Sequence, residues 1–315
     1  MRKLVLSATA AVVLSTGLAD AADFRMPVKA LPPAAPEPSM WDIAFGGALM
    51  SDYNFRGISQ SDRGPSVFAY SELRFKPLAN FELYAGQAGY STKLPTSPTG
   101  EFDIYGGIRP TFGPIAFDFG AIYYWYPNET QVFIDPVTGG ATLFNTIPLG
   151  GAPWTLDDTD FWEVYGKASY TWNDTVTVGA QAYYSPDWLN TGADGLYAAG
   201  TGKVVLPSSF LPKDIGLFVS AELGHYWLGT TGPFFLFTDL PDYTYWNLGL
   251  ALTYKVFTFD FRYHDTDLTE GECFALTGDL QGLPGGGNPL GTSRWCGSAF
   301  IFKASADLTL LTNIK

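Results

Sequence analysis

From Trp41 onward, apolar and polar residues alternate with period two in segments long enough to cross a bilayer as tilted strands. The segments run over 41–51, 66–76, 81–91, 101–112, 115–126, 161–172, 176–185, 196–205, 215–226, 243–254, 257–265 and 299–310. In the fourth, Phe102, Ile104, Ile108 and Phe112 share one face, while Glu101, Asp103, Tyr105 and Arg109 share the other. In the eleventh, Phe257, Phe259, Phe261 and Tyr263 oppose Asp260 and Arg262. Alternation of this kind also suits a soluble sandwich, so two further features decide. Aromatic residues gather at strand ends: Trp125, Trp162, Tyr184, Trp246 and Tyr263 at one rim, and Phe75, Phe81, Phe112, Trp172, Tyr254 and Phe257 at the other. Two interfacial girdles have this pattern. The connections also alternate, with short ones after even segments and long ones at 52–65, 92–100, 127–160, 186–195, 227–242 and 266–298. The expected fold is therefore all-β: a transmembrane up-and-down antiparallel barrel of about twelve strands, both termini periplasmic.

The N-terminus reads as an address. Arg2 and Lys3 precede an apolar stretch from Leu4 to Leu18, and Ala19-Asp20-Ala21 forms a small-x-small cleavage site. The domain organisation expected is a signal peptide over 1–21, a Pro-rich leader over 22–40, and a barrel over 41–315. The leader, with Pro27, Pro32, Pro33, Pro36 and Pro38, reads as an extended spacer or as a disordered segment. After the leader no apolar run is long enough for a transmembrane helix. Localisation is expected in the bacterial outer membrane, with outer-membrane lipid and lipopolysaccharide and the barrel-insertion machinery as partners. Charged residues make up only 16% of the chain, against about 25% in soluble domains. Losing two cations and one anion with the signal peptide moves the formal charge from −13 to −14. That balance argues against nucleic acid as a partner.

Cys273 and Cys296 are the two cysteines, both in the last long loop, and an oxidising compartment favours a disulfide between them. With no histidine nearby they make a poor metal site, and no metal or cofactor is expected. The polar parity assigns Glu72, Arg74, Glu82, Asp103, Arg109, Asp118, Glu163, Lys167, Lys203, Glu222, Asp260, Arg262 and Lys303 to the lumen wall. If Gly113-Pro114 is a two-residue turn, counting back places Arg109 opposite Asp118, with Cβ atoms about 5 Å apart. Ile108 then lies beside Phe119 and Pro110 beside Phe117 on the lipid face. Catalysis is not expected. His225 and His264 are the available bases, and neither stands beside a serine at dyad spacing. His225 reads as an interfacial residue on the lipid parity, and His264 as a polar lumen-mouth residue. The Asp157-Asp158-x-Asp160 and Asp265-x-Asp267 runs read as divalent-cation sites or as solvated acidic loops.

The segment Ser51-Asp52-Tyr53-Asn54-Phe55-Arg56-Gly57-Ile58-Ser59-Gln60-Ser61 resembles the N-terminal signature of the TorF-family porins. Tyr183-Tyr184-Ser185-Pro186-Asp187, Tyr245-Trp246-Asn247-Leu248-Gly249-Leu250 and Tyr263-His264-Asp265-Thr266-Asp267 are also similar to that family. The resemblance implies an outer-membrane barrel with a pore, and supplies neither a solute nor functional residues. A chain ending Asn313-Ile314-Lys315 departs from the terminal aromatic of many outer-membrane barrels. The expected function is passive diffusion of small hydrophilic solutes or ions; the alternative is a structural or adhesive barrel with a loop-plugged lumen. Oligomeric state is left open.

Overall fold

The computed structural model describes residues 39–135, 137–143, 151–207, 211–212 and 214–313. The expected signal peptide, the leader through residue 38, and Ile314-Lys315 lie outside the described residues. Among the described residues, twelve long strands close into one antiparallel barrel. They are β1 Trp41–Met50, β2 Ser66–Leu78, β3 Phe81–Tyr90, β4 Glu101–Phe112, β5 Ile115–Trp125 and β6 Phe161–Trp172. Next come β7 Val176–Ser185, β8 Gly195–Leu206, β9 Ile215–Leu228, β10 Tyr243–Tyr254, β11 Phe257–Thr266 and β12 Ala299–Thr309. Each pairs with its neighbours in the chain, and β12 closes on β1 with Ala44 opposite Thr309. No described helix is long and apolar enough to cross a membrane.

Side chains alternate as the sequence alternates. Along β5 the burial runs buried at Asp118, Ile122 and Tyr124 and exposed at Phe119, Tyr123 and Trp125. The exposed set faces outward and is apolar, as with Ile104, Phe112, Trp162, Trp172, Leu248 and Phe261. The buried set faces the interior and is polar or tyrosine-rich. A soluble barrel would have the reverse distribution. Outward aromatics pair at the rims, as Trp41 with Phe75 at one end and Trp246 with Tyr263 at the other.

The short connections, the start of β1 and the end of β12 share one rim, and the long loops share the other. Gly113, at φ +60°, and Pro114 make a two-residue turn joining Phe112 to Ile115. The register is constant on both sides of Pro110, which has no N–H to give the ladder. Ile108 pairs with Phe119 and Thr111 with Ala116, so Arg109 stands opposite Asp118. In the last long loop, helix α1 (Glu270–Thr277) starts with a reciprocal Thr269–Glu272 capping box and ends at Gly278 in the left-handed region. Cys273 in that helix is bonded to Cys296, as expected from the sequence.

Candidate functional site

The interior differs from a water-lined channel. Of the thirteen charged residues assigned to the lumen wall, eleven are buried, and Arg109 and Lys303 are half-buried. A buried charge needs a partner, and most of these have one. Arg109 donates to Glu72 at 2.8 and 3.0 Å and to Glu82 at 2.9 Å, and lies 3.3 Å from Asp118. Its guanidinium covers the Tyr84 ring at 3.5 Å. Arg74 donates to Glu72 at 2.5 Å, and Lys76 stands 3.0 Å from Glu82. Across the barrel, Arg262 is held by Asp260 at 2.9 Å, Asn247 at 2.5 Å and the Ser220 hydroxyl at 2.7 Å. Glu222 accepts from Gln181 and Tyr197. Lys167 lies over Tyr165 and Tyr183, Lys203 lies over Phe218, and Lys303 pairs in register with Asp260.

The sequence 51–61 belongs to this interior, contrary to its expected place in an outer loop. Asn54 pairs with Ser59 and Phe55 with Ile58, so Arg56-Gly57 is a two-residue turn. Both turn residues have positive φ, +46° and +93°, as a hairpin of this length requires. A Cβ on Gly57 would come within 2.9 Å of Tyr245, so a side chain there has no space. The tip projects among the wall residues. Arg56 reaches Glu163 of β6 at 2.6 and 2.7 Å, with both residues buried. Tyr53, on the same segment, donates to Glu101 at 2.5 Å and stacks on Tyr90.

The hairpin root is fixed by the outer loops. Asp52 accepts from Ser59 and Ser61. Burial pushes its pKa up, against the opposing pull of Ser59 and Arg63. Arg63 donates to the backbone carbonyls of Arg294 and Gly297, Ser59 donates its amide to Trp295, and Trp295 donates to Asp62. The disulfide-closed loop therefore holds the hairpin down. A cleft of about 580 Å³ between them is lined by Asp52, Arg63, Glu270 and Arg294.

Tyrosines form the wall around the tip. Tyr165, Tyr183, Tyr197, Tyr226 and Tyr243 stand directly opposite one another on five successive strands, β6 to β10. Alternation assigns each of them to the interior, but only the register lines them up at one level. His264 lies near the outer end of β11, buried and hydrogen-bonded to Tyr245 at 2.8 Å. His225 faces outward beside Trp227 and bonds Thr244. In the outer loops, Asp158 and Asp160 meet Glu129, with one oxygen of each within 4.8 Å of the others. Glu129 is satisfied by Thr96 and Thr159, and Asp160 by Tyr123 and the Tyr126 amide. Asp265 and Asp267 join no such cluster among the described residues.

Residues 34–138 match the family described as a bacterial protein of unknown function (Gcw_chp). The match spans the hairpin and strands β1 to β5. No curated protein sequence matches the chain. Among solved structures, the COG4313 outer membrane channel from Pseudomonas putida F1 is similar at 12% identity and TM-score 0.41, covering 89% of this chain and 100% of that one. Outer-membrane expressed OmpT of Vibrio cholerae is similar at 11% identity and TM-score 0.36, covering 87% and 99%. LpxR from Salmonella typhimurium is similar at 8% identity and TM-score 0.39, covering 84% and 99%.

Proposed function

We propose that this protein is an outer-membrane barrel, closed at rest by its own 51–61 hairpin, that passes small hydrophilic solutes or ions when the hairpin leaves. The reading gives the chain no catalytic role. The apolar outward face and the two aromatic rims support insertion in a membrane. With long loops at one rim and short turns at the other, the barrel ends are assigned to the periplasmic side. The porin resemblance of residues 51–61 agrees with this function, and the segment that carries it is the plug.

The observation that carries the proposal is the Arg56–Glu163 contact, made in the barrel interior by a segment not itself part of the wall. A permanently open diffusion pore has no use for such a contact. A purely structural barrel is the second reading, favoured by the interlocked Arg109 and Arg262 clusters. Planar-bilayer recording separates them. Wild-type protein is expected to be silent at low voltage, and Glu163→Gln, which unlatches the tip, is expected to give ohmic steps. Silence of both would favour the structural barrel, and steady wild-type conductance would refute the closed state.

A further inference from the structure

Arg56 is held as a free ligand is held. Its two terminal nitrogens each meet one oxygen of Glu163, at 2.6 and 2.7 Å. Its Cζ lies 4.5 Å from the ring centre of Tyr197, 4.6 Å from Tyr183, 5.0 Å from Tyr226 and 4.7 Å from its neighbour Phe55. Tyr124 donates to the same carboxylate at 3.0 Å, which fixes its orientation. The carboxylate and three of the four rings belong to the wall, on β6, β7, β8 and β9, not to the hairpin. Withdrawing the hairpin leaves an oriented carboxylate inside a partial aromatic cage.

We propose that this wall pocket is a binding site for organic cations, of the guanidinium or alkylammonium class, and that Arg56 is its tethered occupant. Solute and hairpin then compete for one seat. The chemistry favours such a ligand over a metal ion. A hard cation wants six or more oxygens, whereas the groups that surround Arg56 here are the Glu163 carboxylate and four aromatic rings. Ring faces attract large, weakly hydrated cations, most strongly when the site is dry. A carboxylate that presents both oxygens matches a planar fork of N–H donors. Among the described residues, Arg56 is the cation paired with Glu163, so an emptied seat leaves a buried anion without a counter-charge. The inference rests on the hairpin being displaceable, and it is tested by binding rather than by conductance so that the two readings can fail separately.

The full chain carrying Arg56→Gly, refolded in detergent, is the protein to use, because glycine accepts the positive φ of that turn position. The probe is millimolar methylguanidinium chloride, compared with sodium chloride at equal ionic strength. Thermal unfolding and the near-ultraviolet tyrosine signal are followed. Methylguanidinium is expected to raise the melting temperature of Arg56→Gly by several degrees and to shift the tyrosine signal saturably. Wild type, its seat filled, should respond no more than to sodium. Adding Glu163→Gln should weaken the response at least tenfold. A response of Arg56→Gly equal to that in sodium chloride overturns the proposal, as does a response that survives loss of Glu163. If Arg56→Gly does not refold in sodium chloride, its refolding yield in methylguanidinium becomes the measurement. Recovery supports the site, and no recovery overturns it.

Discussion

Arg109 shows how one side chain organises a buried polar wall. It answers Glu72 and Glu82 with hydrogen bonds and faces Asp118, while Glu72 is fully buried. Removing one partner of such a group leaves a charge in a low dielectric, at a cost of about 3–5 kcal/mol. Arg109→Ala is therefore expected to lower the urea midpoint well below that of Asp118→Asn, read from the loss of the heat-modifiable folded band. Equal midpoints would show that the hub carries no weight. The Arg109–Asp118 opposition follows from the sequence by counting back from Gly113-Pro114. The tighter grip of Glu72 does not, because Glu72 sits on β2 and Arg109 on β4, with β3 between them. Side-chain reach across an intervening strand depends on barrel curvature. Glycine is the other residue-scale device. A Cβ at Gly86 would stand 2.5 Å from Cζ of Tyr105, whose ring covers that backbone. Gly86→Val forces the ring out of place, with an expected cost of about 1–3 kcal/mol in the same denaturation assay.

At the scale of elements, the disulfide loop and the hairpin form one unit. Chain entropy values a bridge of this span at about 3 kcal/mol. Cys273→Ser is expected to leave the strands intact and to expose 267–298 to limited proteolysis. Because Ser59 and Arg63 hang on Trp295, Arg294 and Gly297, cleavage should extend to 51–65. Cuts confined to the last loop would uncouple the two. The Glu129 loop gives a pH test. Burial raises the pKa of Glu129, against the hydrogen bonds of Thr96 and Thr159. Below the ordinary carboxylate range, both the folded and the opened loop hold the proton. As pH rises the opened loop ionises first, so the stability of the folded loop falls until Glu129 itself titrates. Protection of the Thr159 amide, which donates to Glu129 at 2.6 Å, should fall over that interval once intrinsic exchange is removed. Protection that rises with pH would contradict this.

For the whole molecule, the mature charge of −14 expected from the sequence, and the acidic outer rim and loops carrying Asp157, Asp158, Asp160, Asp265 at the end of β11, Asp267, Glu270 and Glu272, raise cation concentration at the mouth. Any pathway opened by Glu163→Gln is expected to prefer cations weakly, with the preference fading as salt screens the loops. A reversal potential favouring chloride in a dilute gradient would refute it. The sequence by itself determined the strands, their inward and outward faces, the turn register at Gly113-Pro114 and the disulfide. The strands, faces and register depend on neighbours in the chain or on a period of two, which is local information, and the disulfide follows from there being two cysteines in one loop of a chain expected to be exported. The tertiary structure alone decided that the 51–61 segment turns inward, that Arg56 finds Glu163, and that five tyrosines meet at one level. Those contacts join residues far apart in sequence, and which of them meet is fixed only when the barrel closes and sets its curvature and register.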